Sequence, residues 1–483
     1  MYLQHIYPRP KRFSESESIR FVFNGAVTAK CSAALLPEQA ERMSYLWHRF
    51  SRTGSVLQLE SAPAEKPFLM IGRPERRPEP EDGKSYVLHA DAGGVWLAAS
   101  EPGGLTDGFK TLVQLICPEN LTPGAEQFYI LGTDIRDNPS IPFRAVHICV
   151  FPESELYNIE KAIHLAGFLK MTHLILEFWG TYRYRCMPAM AWEGHSYTGE
   201  ELRPLITLAR SYGMEVIPMI NHFGHASQAR NCYGRHTVLN REPRYALLFE
   251  PDGWTWCLSN PDTYRLLGEM RAEQNELCGK GAYFHLGFDE AYSFATCSKC
   301  RKRVPHELLA EYLNRLTEDL AADGRRPIVW GDEFMDRSDF AGKGSVLPEA
   351  NGQNHGTAKA IELLDRRVII ADWEYHYKNG ENLSTPYFQR HGFDVVLCPW
   401  SDPENIRSLC RNAGDMAAYG VILTTWDRLP VFQRLAVQAA AFAWNGGENE
   451  PFASTEAASI LRTVYDCKGN FERSGWNMFE VQQ

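Results

Sequence analysis

Apolar and polar residues change their pattern near residue 140. From there on, short apolar runs typical of buried strands alternate with longer segments of helical periodicity. The predicted strands are Arg144–Val150, His173–Phe178, Glu215–Ile220, Tyr283–Leu286, Pro327–Trp330, Val368–Ala371, Asp394–Leu397 and Gly420–Leu423. The predicted helices are Glu155–Leu169, Gly199–Tyr212, Pro261–Cys278, Pro305–Ala322, Thr357–Leu364, Glu404–Ala417 and Val431–Trp444. Only the connection Tyr377–His391 lacks a clear pattern. Eight strand-then-helix units predict an α/β fold of the (β/α)8 TIM barrel type.

The first 140 residues predict a smaller α/β accessory domain. The segment Glu38–Arg52 has the periodicity of an amphipathic helix. The runs Ser85–Ala90 and Gly94–Ala99 are joined by a short turn and predict a β-hairpin. We therefore expect an accessory domain over residues 1–140, a catalytic barrel over 141–446 and a C-terminal helical extension over 447–483.

Composition narrows the range of partners. The chain has 483 residues, 44% of them apolar, and a net charge of −10 without a basic stripe, so nucleic acid and anionic membranes are poor partners. No apolar run approaches the roughly 20 residues of a membrane-spanning helix, and Met1–Arg12 does not resemble a secretory signal. Twelve scattered cysteines predict reduced thiols in the cytoplasm. A small polar ligand fits this composition best.

Candidate chemistry stands at the carboxyl ends of the predicted strands, where TIM barrels build their active sites. Asp289 and Glu290 follow the fourth strand. Desolvating two like charges side by side is costly, so such a pair normally has a cationic or polar group to act upon. Other side chains at strand ends are Glu177, Trp179, Asn221, His222, His225, Trp330, Asp332, Glu333, Trp373, Tyr375, Trp400, Trp426 and Asp427. Indole faces stack on sugar rings, so the repeated tryptophans favour a carbohydrate pocket. Asp332 and Glu333 are predicted to form a solvated or structural pair.

At these residues the chain resembles a known family. His285-Leu286-Gly287-Phe288-Asp289-Glu290 matches the His-x-Gly-x-Asp-Glu signature of glycoside hydrolase family 20 β-N-acetylhexosaminidases. The segment from Val216 to His225 resembles the family's third strand, and Phe143-Arg144 resembles its first. The run from Gly108 to Leu115 resembles a helix of its accessory domain. The resemblance spans roughly residues 20–445 and is closest to the intracellular, hexosaminidase D-like branch.

The resemblance implies a retaining exo-β-N-acetylhexosaminidase that releases terminal β-linked GlcNAc or GalNAc from a small glycoside. In this family the substrate's own acetamido oxygen is the nucleophile, which gives an oxazolinium intermediate. Glu290 would protonate the leaving oxygen and then deprotonate water. Asp289 would stay ionised on the acetamide N–H, and its charge would raise the pKa of Glu290.

The resemblance also implies binding roles. Arg144 would bind O3 and O4, and His225 with Glu177 would orient the general acid. Trp330, Trp373 and Trp426 would enclose the N-acetyl group and the ring. The seventh strand ends in Pro399-Trp400 instead of the family's tyrosine, so Tyr375 or Tyr377 would take that role. The family's carboxylate for O4 and O6 is replaced by Arg428, with Asp427 the nearest acid. No cofactor and no metal are implied.

Two other functions compete with this interpretation. A metal-dependent barrel hydrolase would use His222, His225, His285 and Asp289, but the first strand offers only His147 instead of a His-x-His pair. A non-catalytic sugar-binding barrel is the other alternative, against which the intact acid pair argues. Cys297 and Cys300 form a lone Cys-x-x-Cys, and because zinc needs two more ligands we interpret them as loop cysteines. Whether the protein is a homodimer is left open.

Overall fold

The computed structural model describes residues 6–447 except 33–36, 65, 82–84, 120–125, 227–237, 239–241, 344–346, 380–381 and 427–428. It also describes Ile460 and Val464, both buried. The predicted C-terminal extension over 447–483 therefore lies almost wholly outside the described residues. Within the described part, no helix is both long and apolar enough to cross a membrane.

An eight-stranded, mostly antiparallel sheet forms the N-terminal part of the described chain. Its strands are β1 (Arg12–Asn24), β2 (Val27–Ser32), β3 (Leu57–Ala62), β4 (Phe68–Gly72), β5 (Tyr86–Asp91), β6 (Gly94–Ala99), β7 (Cys117–Pro118) and β8 (Gln127–Asp137). The order is β1-β8-β5-β6-β4-β2-β3, with β7 paired to β8. Helices α1 (Pro37–Phe50) and α2 (Pro102–Gln114) bury Trp47 and Phe109 in the core. The predicted β5–β6 hairpin is present.

Eight parallel strands close into a barrel, which confirms the predicted TIM-barrel fold. They are β9 (Phe143–Cys149), β10 (His173–Glu177), β11 (Glu215–Met219), β12 (Tyr283–His285), β13 (Arg326–Trp330), β14 (Ile369–Asp372), β15 (Asp394–Leu397) and β16 (Gly420–Leu423). Each differs from its predicted bounds by at most one residue at either end. Branched side chains such as Ile175, Ile217 and Ile328 fill the interior, as the fold requires.

The helices around the barrel agree with the predicted pattern except in two connections, Thr357–Leu364 and Tyr377–His391, the second of which holds a helix that was not predicted. They are α3 (Leu156–Phe168), α4 (Gly199–Ser211), α5 (Pro261–Cys278), α6 (Pro305–Ala322), α7 (Ser384–Arg390), α8 (Pro403–Asp415) and α9 (Leu429–Asn445). The predicted helix Thr357–Leu364 is wrong, since only a 3-10 segment, Ala358–Glu362, forms there. The Thr357 hydroxyl is bound to Glu333 and the Asp365 N–H to the side chain of Asn314, so contacts outside the segment, and not its own periodicity, fix its two ends.

Candidate active site

The carboxyl ends of the barrel strands surround a cavity of about 470 Å³. It is lined by Trp179, His225, Trp254, Asp289, Glu290, Trp330, Trp373, Tyr375, Trp400 and Trp426. The structure thus brings eight of the residues assigned from the sequence to one site, and adds Trp179 and Trp254. Six indoles and one phenol make the walls flat and apolar, and the titratable groups of the lining are confined to Tyr375, His225 and the acid pair.

A strained turn presents the acid pair. Directly after β12, Phe288 has φ 84° and Glu290 has φ 48°, a region that side chains other than glycine rarely adopt. Gly287 has φ 72°, and a Cβ at this position would lie 2.0 Å from Asn221 Oδ1. A Cβ on Gly224 would lie 2.0 Å from the carbonyl oxygen of Asp289. Both glycines are therefore required for the acid loop to lie against the loop after β11.

A second acid pair holds this turn in place. Asp332 Oδ2 accepts a hydrogen bond from the Glu290 N–H at 3.0 Å, and Glu333 Oε1 accepts one from the Ala291 N–H at 2.9 Å. Asp332 and Glu333 are each 1% exposed, so they form a structural pair and not a solvated one. Burial, ahead of the neighbouring acids, raises the pKa of Glu333 to about 7. The sequence predicted that these acids lie near the site, but it did not predict that they accept hydrogen bonds from the backbone of the turn.

His225 bridges the two acids of the first pair. Its Nε2 lies 3.2 Å from Asp289 Oδ2 and 3.2 Å from Glu290 Oε2. Burial opposes the charged imidazole, but the two carboxylates outweigh that effect and raise the pKa of His225 well above its ordinary value. Trp179 stacks on the imidazole with ring centroids 5.4 Å apart and planes 11° apart. At neutral pH the site therefore holds a cation shared between two carboxylates.

The two carboxylates respond differently to this cation. Burial raises the pKa of Asp289, and the charge of His225 offsets only part of that rise. For Glu290, which is less deeply buried, burial is outweighed by the hydrogen bond and charge of His225, so its pKa is lowered. The sequence-based expectation that Glu290 has the raised pKa is thus reversed in the unliganded protein. The reason is that the imidazolium of His225 lies between Asp289 and Glu290, and its positive charge lowers the pKa of Glu290.

Glu177 lies behind the cavity and does not bond to His225. It accepts hydrogen bonds from Asn221 and from the Trp179 indole, and its Oε2 lies 2.9 Å from His147 Nε2. Among the described residues, Nδ1 of His225 has no hydrogen-bond partner. The implied His225–Glu177 pair is therefore not formed directly. Within the described part of the chain, Glu177 is linked to the imidazole through Trp179, whose indole donates to Glu177 and stacks on the ring.

The aromatic walls are tied together by hydrogen bonds. The Trp373 indole donates to Asp332 Oδ1 at 3.2 Å, and the Trp426 indole donates to the Tyr375 hydroxyl at 2.7 Å. Tyr377 does not line the cavity, and its carbonyl accepts from Asn405 at 2.6 Å. Of the two tyrosines implied for the acetamido contact, Tyr375 is the one at the site.

Arg144 does not reach the cavity, contrary to the role implied for it. It is the second residue of β9, at the end of the barrel opposite to the site. A strand rises about 3.3 Å per residue, so the five residues beyond it place the site roughly 16 Å away along the strand. Its guanidinium is 2% exposed and donates to the carbonyls of Lys170 and Ile141, and to Asp107 Oδ2 at 3.2 Å. Arg144 joins the barrel to helix α2 of the N-terminal part.

The ligand set of the alternative metal hydrolase is not assembled. His222 is fully buried and lies 3.0 Å from an Arg271 nitrogen, and its Nδ1 contacts the Ile220 carbonyl. His285 accepts from the Gly287 N–H and packs on Trp330. Among the described residues around the cavity, only His225, Asp289 and Glu290 lie closely enough together to share an ion. Asp427 and Arg428, which bear on recognition of O4 and O6, lie outside the described residues.

Trp254 is the wall residue that sequence reasoning missed. Its indole donates to the carbonyl oxygen of Glu290, and its ring centroid lies 4.6 Å from that of His225. It stands deep in the long connection between β11 and α5, whereas the strand-end rule points only to residues directly after a strand. Trp179 lies two residues beyond the end of β10 and was among the strand-end residues named from the sequence, although no binding role was assigned to it.

Comparison with known proteins places this architecture in a family. The sequence profile described as Glycosyl hydrolase family 20, catalytic domain, matches residues 172–426. A Beta-hexosaminidase of Porphyromonas gingivalis is 24% identical over 393 residues, covering 74% of this chain and 48% of that protein. Hexosaminidase D of Bos taurus is 21% identical over 306 residues, covering 58% of this chain and 81% of that protein.

Solved structures also resemble this chain in fold. A crystal structure of beta-N-acetylhexosaminidase from Bacteroides fragilis superposes with a TM-score of 0.69 at 17% identity, covering 98% of this chain and 96% of that one. The shared architecture includes the N-terminal part as well as the barrel. The chain spans about half the length of the Porphyromonas protein.

Proposed function

This chain belongs to glycosyl hydrolase family 20, and we propose on that basis that it is a retaining exo-β-N-acetylhexosaminidase acting on terminal β-linked GlcNAc or GalNAc. The observation that carries the proposal is the Asp289–Glu290 pair inside a tryptophan-walled cavity. Two carboxylates serve glycoside hydrolysis, and the indole faces serve a sugar ring. The names of the Porphyromonas and Bacteroides relatives support the same substrate class.

The proposed reaction begins with the substrate's acetamido group. Its carbonyl oxygen attacks the anomeric carbon while the bond from that carbon to the leaving oxygen breaks, and Glu290 gives its proton to the leaving oxygen. Asp289 accepts a hydrogen bond from the acetamide N–H and balances the charge of the oxazolinium ring. Water then attacks the anomeric carbon and gives a proton to Glu290, while the bond from that carbon to the acetamido oxygen breaks and the acetamide is restored. Two inversions give net retention, and the tethered nucleophile supplies proximity.

Glu290 must carry a proton when the leaving group departs. In the unliganded protein the contact with His225 lowers the pKa of Glu290. We propose that a bound sugar excludes water from the cavity and draws Glu290 towards the glycosidic oxygen, both of which favour its neutral form. His225 would then stay with Asp289, which must remain ionised. The proton on Glu290 comes from solvent.

The residues that line the cavity suggest how the rest of the sugar is bound. The Tyr375 hydroxyl, which already accepts from Trp426, has its proton available for the acetamido oxygen. Trp330, Trp373 and Trp426 would enclose the acetamido group and the ring, while Trp179, Trp254 and Trp400 complete the cavity. Because Arg144 lies at the opposite end of the barrel, we propose no sugar contact for it. Recognition of O4 and O6 is proposed for Asp427.

We further propose the hexosaminidase D-like branch and a cytoplasmic location. The likeness to the bovine Hexosaminidase D supports the branch. Ten cysteines within the described ranges are free thiols, most of them buried, which is typical of a reducing compartment.

Aryl glycosides test the proposed function. We expect release of 4-nitrophenol from the β-N-acetylglucosaminide or the β-N-acetylgalactosaminide, but not from the β-glucoside, which lacks the acetamido nucleophile. A thiazoline mimic of the oxazoline should inhibit competitively. Failure to cleave either acetamido substrate, together with no binding of the thiazoline, would refute the proposal.

A further inference from the structure

Three cysteines from two loops meet next to the active site. Cys297 and Cys300 lie in the loop after the acid pair, and Cys257 lies three residues after Trp254 in the connection before α5. The three sulfurs are within 4.8 Å of one another. The Cys257 sulfur lies 3.5 Å from that of Cys297 and 3.6 Å from that of Cys300. The Cys-x-x-Cys pair is therefore not alone, because a residue forty positions upstream joins it.

These separations match a tetrahedral thiolate site. Zinc–sulfur bonds of about 2.3 Å at tetrahedral angles hold neighbouring sulfurs about 3.8 Å apart. The observed 3.5 and 3.6 Å are close to that spacing and far from the sulfur–sulfur bond of about 2 Å in a disulfide. Cys257 and Cys300 are 2% and 0% exposed, so the sulfurs gather where a metal would be shielded from water.

The polar groups around the sulfurs suit thiolates. The Cys300 N–H donates to the Cys297 sulfur at 3.2 Å, and the Lys299 N–H also hydrogen-bonds that sulfur. The Cys300 sulfur has both the N–H and the hydroxyl of Ser259 as partners. The hydrogen bond with Cys257, then burial, raises the pKa of the Cys300 thiol. Cysteine binds a metal as the thiolate, so a bound cation would displace the thiol protons.

From this geometry we propose that Cys257, Cys297 and Cys300 bind one structural zinc ion. The described residues supply these three ligands, and the fourth tetrahedral position is left to water or to a further ligand. Zn²⁺ is the class of ion favoured by a sulfur-rich tetrahedral set. The inference stands apart from the proposed hydrolase activity, since none of the three cysteines lines the cavity.

The consequence is a crosslink between the two loops that form the site. Trp254 already donates to the Glu290 carbonyl, and Ser293 donates to Asp252 across the same loops. Buried Glu250 accepts hydrogen bonds from the Thr296 and Cys297 N–H groups. A metal at the three sulfurs holds these loops at the end farther from the cavity. It thereby maintains the spacing between Trp254 and Glu290.

Metal content of the full chain tests the proposal. Protein purified without chelator should contain about one zinc ion per chain by plasma mass spectrometry. Cys257→Ser, Cys297→Ser and Cys300→Ser should each lose it, while Cys186→Ser, at a partly exposed cysteine outside the cluster, should keep it. Exchange with Co²⁺ should give the thiolate charge-transfer and tetrahedral d–d absorption bands, and the band intensity should fall in the cluster variants.

The contrary outcomes are distinct. Zinc retained in the three serine variants would place the ion elsewhere, for example at His225 and the acid pair, and would overturn the proposal. So would reduced wild-type protein that holds no zinc, takes up none of the added Zn²⁺, and alkylates at all three thiols with or without the metal. A disulfide within the cluster, found by mass spectrometry of unreduced protein, would also overturn it. Because wild-type metal content is read directly, misfolding of a variant does not obscure the result.

Discussion

At the scale of single residues, the central feature is the division between two adjacent acids. Asp289 and Glu290 share one imidazolium, yet burial dominates the pKa of the first and His225 dominates that of the second. The positive φ values of His225, Phe288 and Glu290 keep this arrangement in a strained backbone. Such strain costs on the order of 1–3 kcal/mol per residue and persists where the surrounding packing determines the conformation.

Replacing the bridging imidazole should shift the pH profile. His225→Asn keeps a side chain that tolerates φ 52° but removes the cation. The pKa values of both carboxylates should rise, because the charge that lowers them is gone. Asp289 must be ionised and Glu290 protonated, so both limbs of the kcat/KM profile should move to higher pH. The control is His195→Asn, at an exposed histidine. An unchanged profile, or a shift to lower pH, would show that His225 does not set these pKa values.

Replacing the general acid should have an effect that depends on the leaving group. Glu290→Gln should lower kcat/KM by about 10²–10⁴-fold for a disaccharide, whose leaving oxygen needs a proton. For a 2,4-dinitrophenyl glycoside, whose leaving group departs without a proton, the loss in kcat/KM should be much smaller. Asp289→Asn should lower kcat/KM for both substrates, because Asp289 stabilises the acetamido group whatever the leaving group is. Equal losses for both substrates in Glu290→Gln would contradict the assigned role.

At the scale of elements, strand positions were predictable from the sequence and contacts between loops were not. Apolar runs such as Asp394–Leu397 define buried strands, and the strand-end rule then placed Trp330 and Tyr375 at the site. The position of Trp254 depends on how the long β11–α5 connection folds back, which no periodicity encodes. The meeting of Cys257 with Cys300 has the same origin.

Arg144 shows that position within a strand was a better guide than the resemblance. The predicted strand began at this residue, and the beginning of a barrel strand is the end opposite to the site. The family motif favoured a sugar contact, whereas the guanidinium bonds to Lys170, Ile141 and Asp107. The position of Arg144 at the beginning of the predicted strand was sufficient to reject the sugar contact.

Removing this arginine should therefore affect stability and not substrate binding. Arg144→Met removes the nearer of the two cations at Asp107, since Lys110 remains at 3.9 Å, and it removes hydrogen bonds to buried carbonyls. We expect a cost of about 3–5 kcal/mol in the free energy of unfolding. Urea denaturation should show this loss, while KM at low temperature should match the wild type. Arg203→Met, at an exposed arginine of α4, is the control and should change neither quantity. A raised KM with unchanged stability would restore the sugar contact.

At the scale of the whole molecule, the barrel and the N-terminal sheet share a buried polar junction at the end away from the site. Besides Arg144, the Trp444 indole of α9 donates to Asp137 at the end of β8 at 3.1 Å, and the Lys170 ammonium donates to the Tyr86 hydroxyl at 3.1 Å. This junction couples the two parts without touching the cavity.

The central claim is that the nucleophile belongs to the substrate, and one kinetic series tests it most directly. 4-Nitrophenyl β-glucosaminides bearing acetyl, fluoroacetyl, difluoroacetyl and trifluoroacetyl groups share one leaving group, and each fluorine withdraws electron density from the carbonyl oxygen. If that oxygen attacks the anomeric carbon, kcat/KM should fall steeply with each added fluorine. A kcat/KM that stays constant across the series would contradict the account.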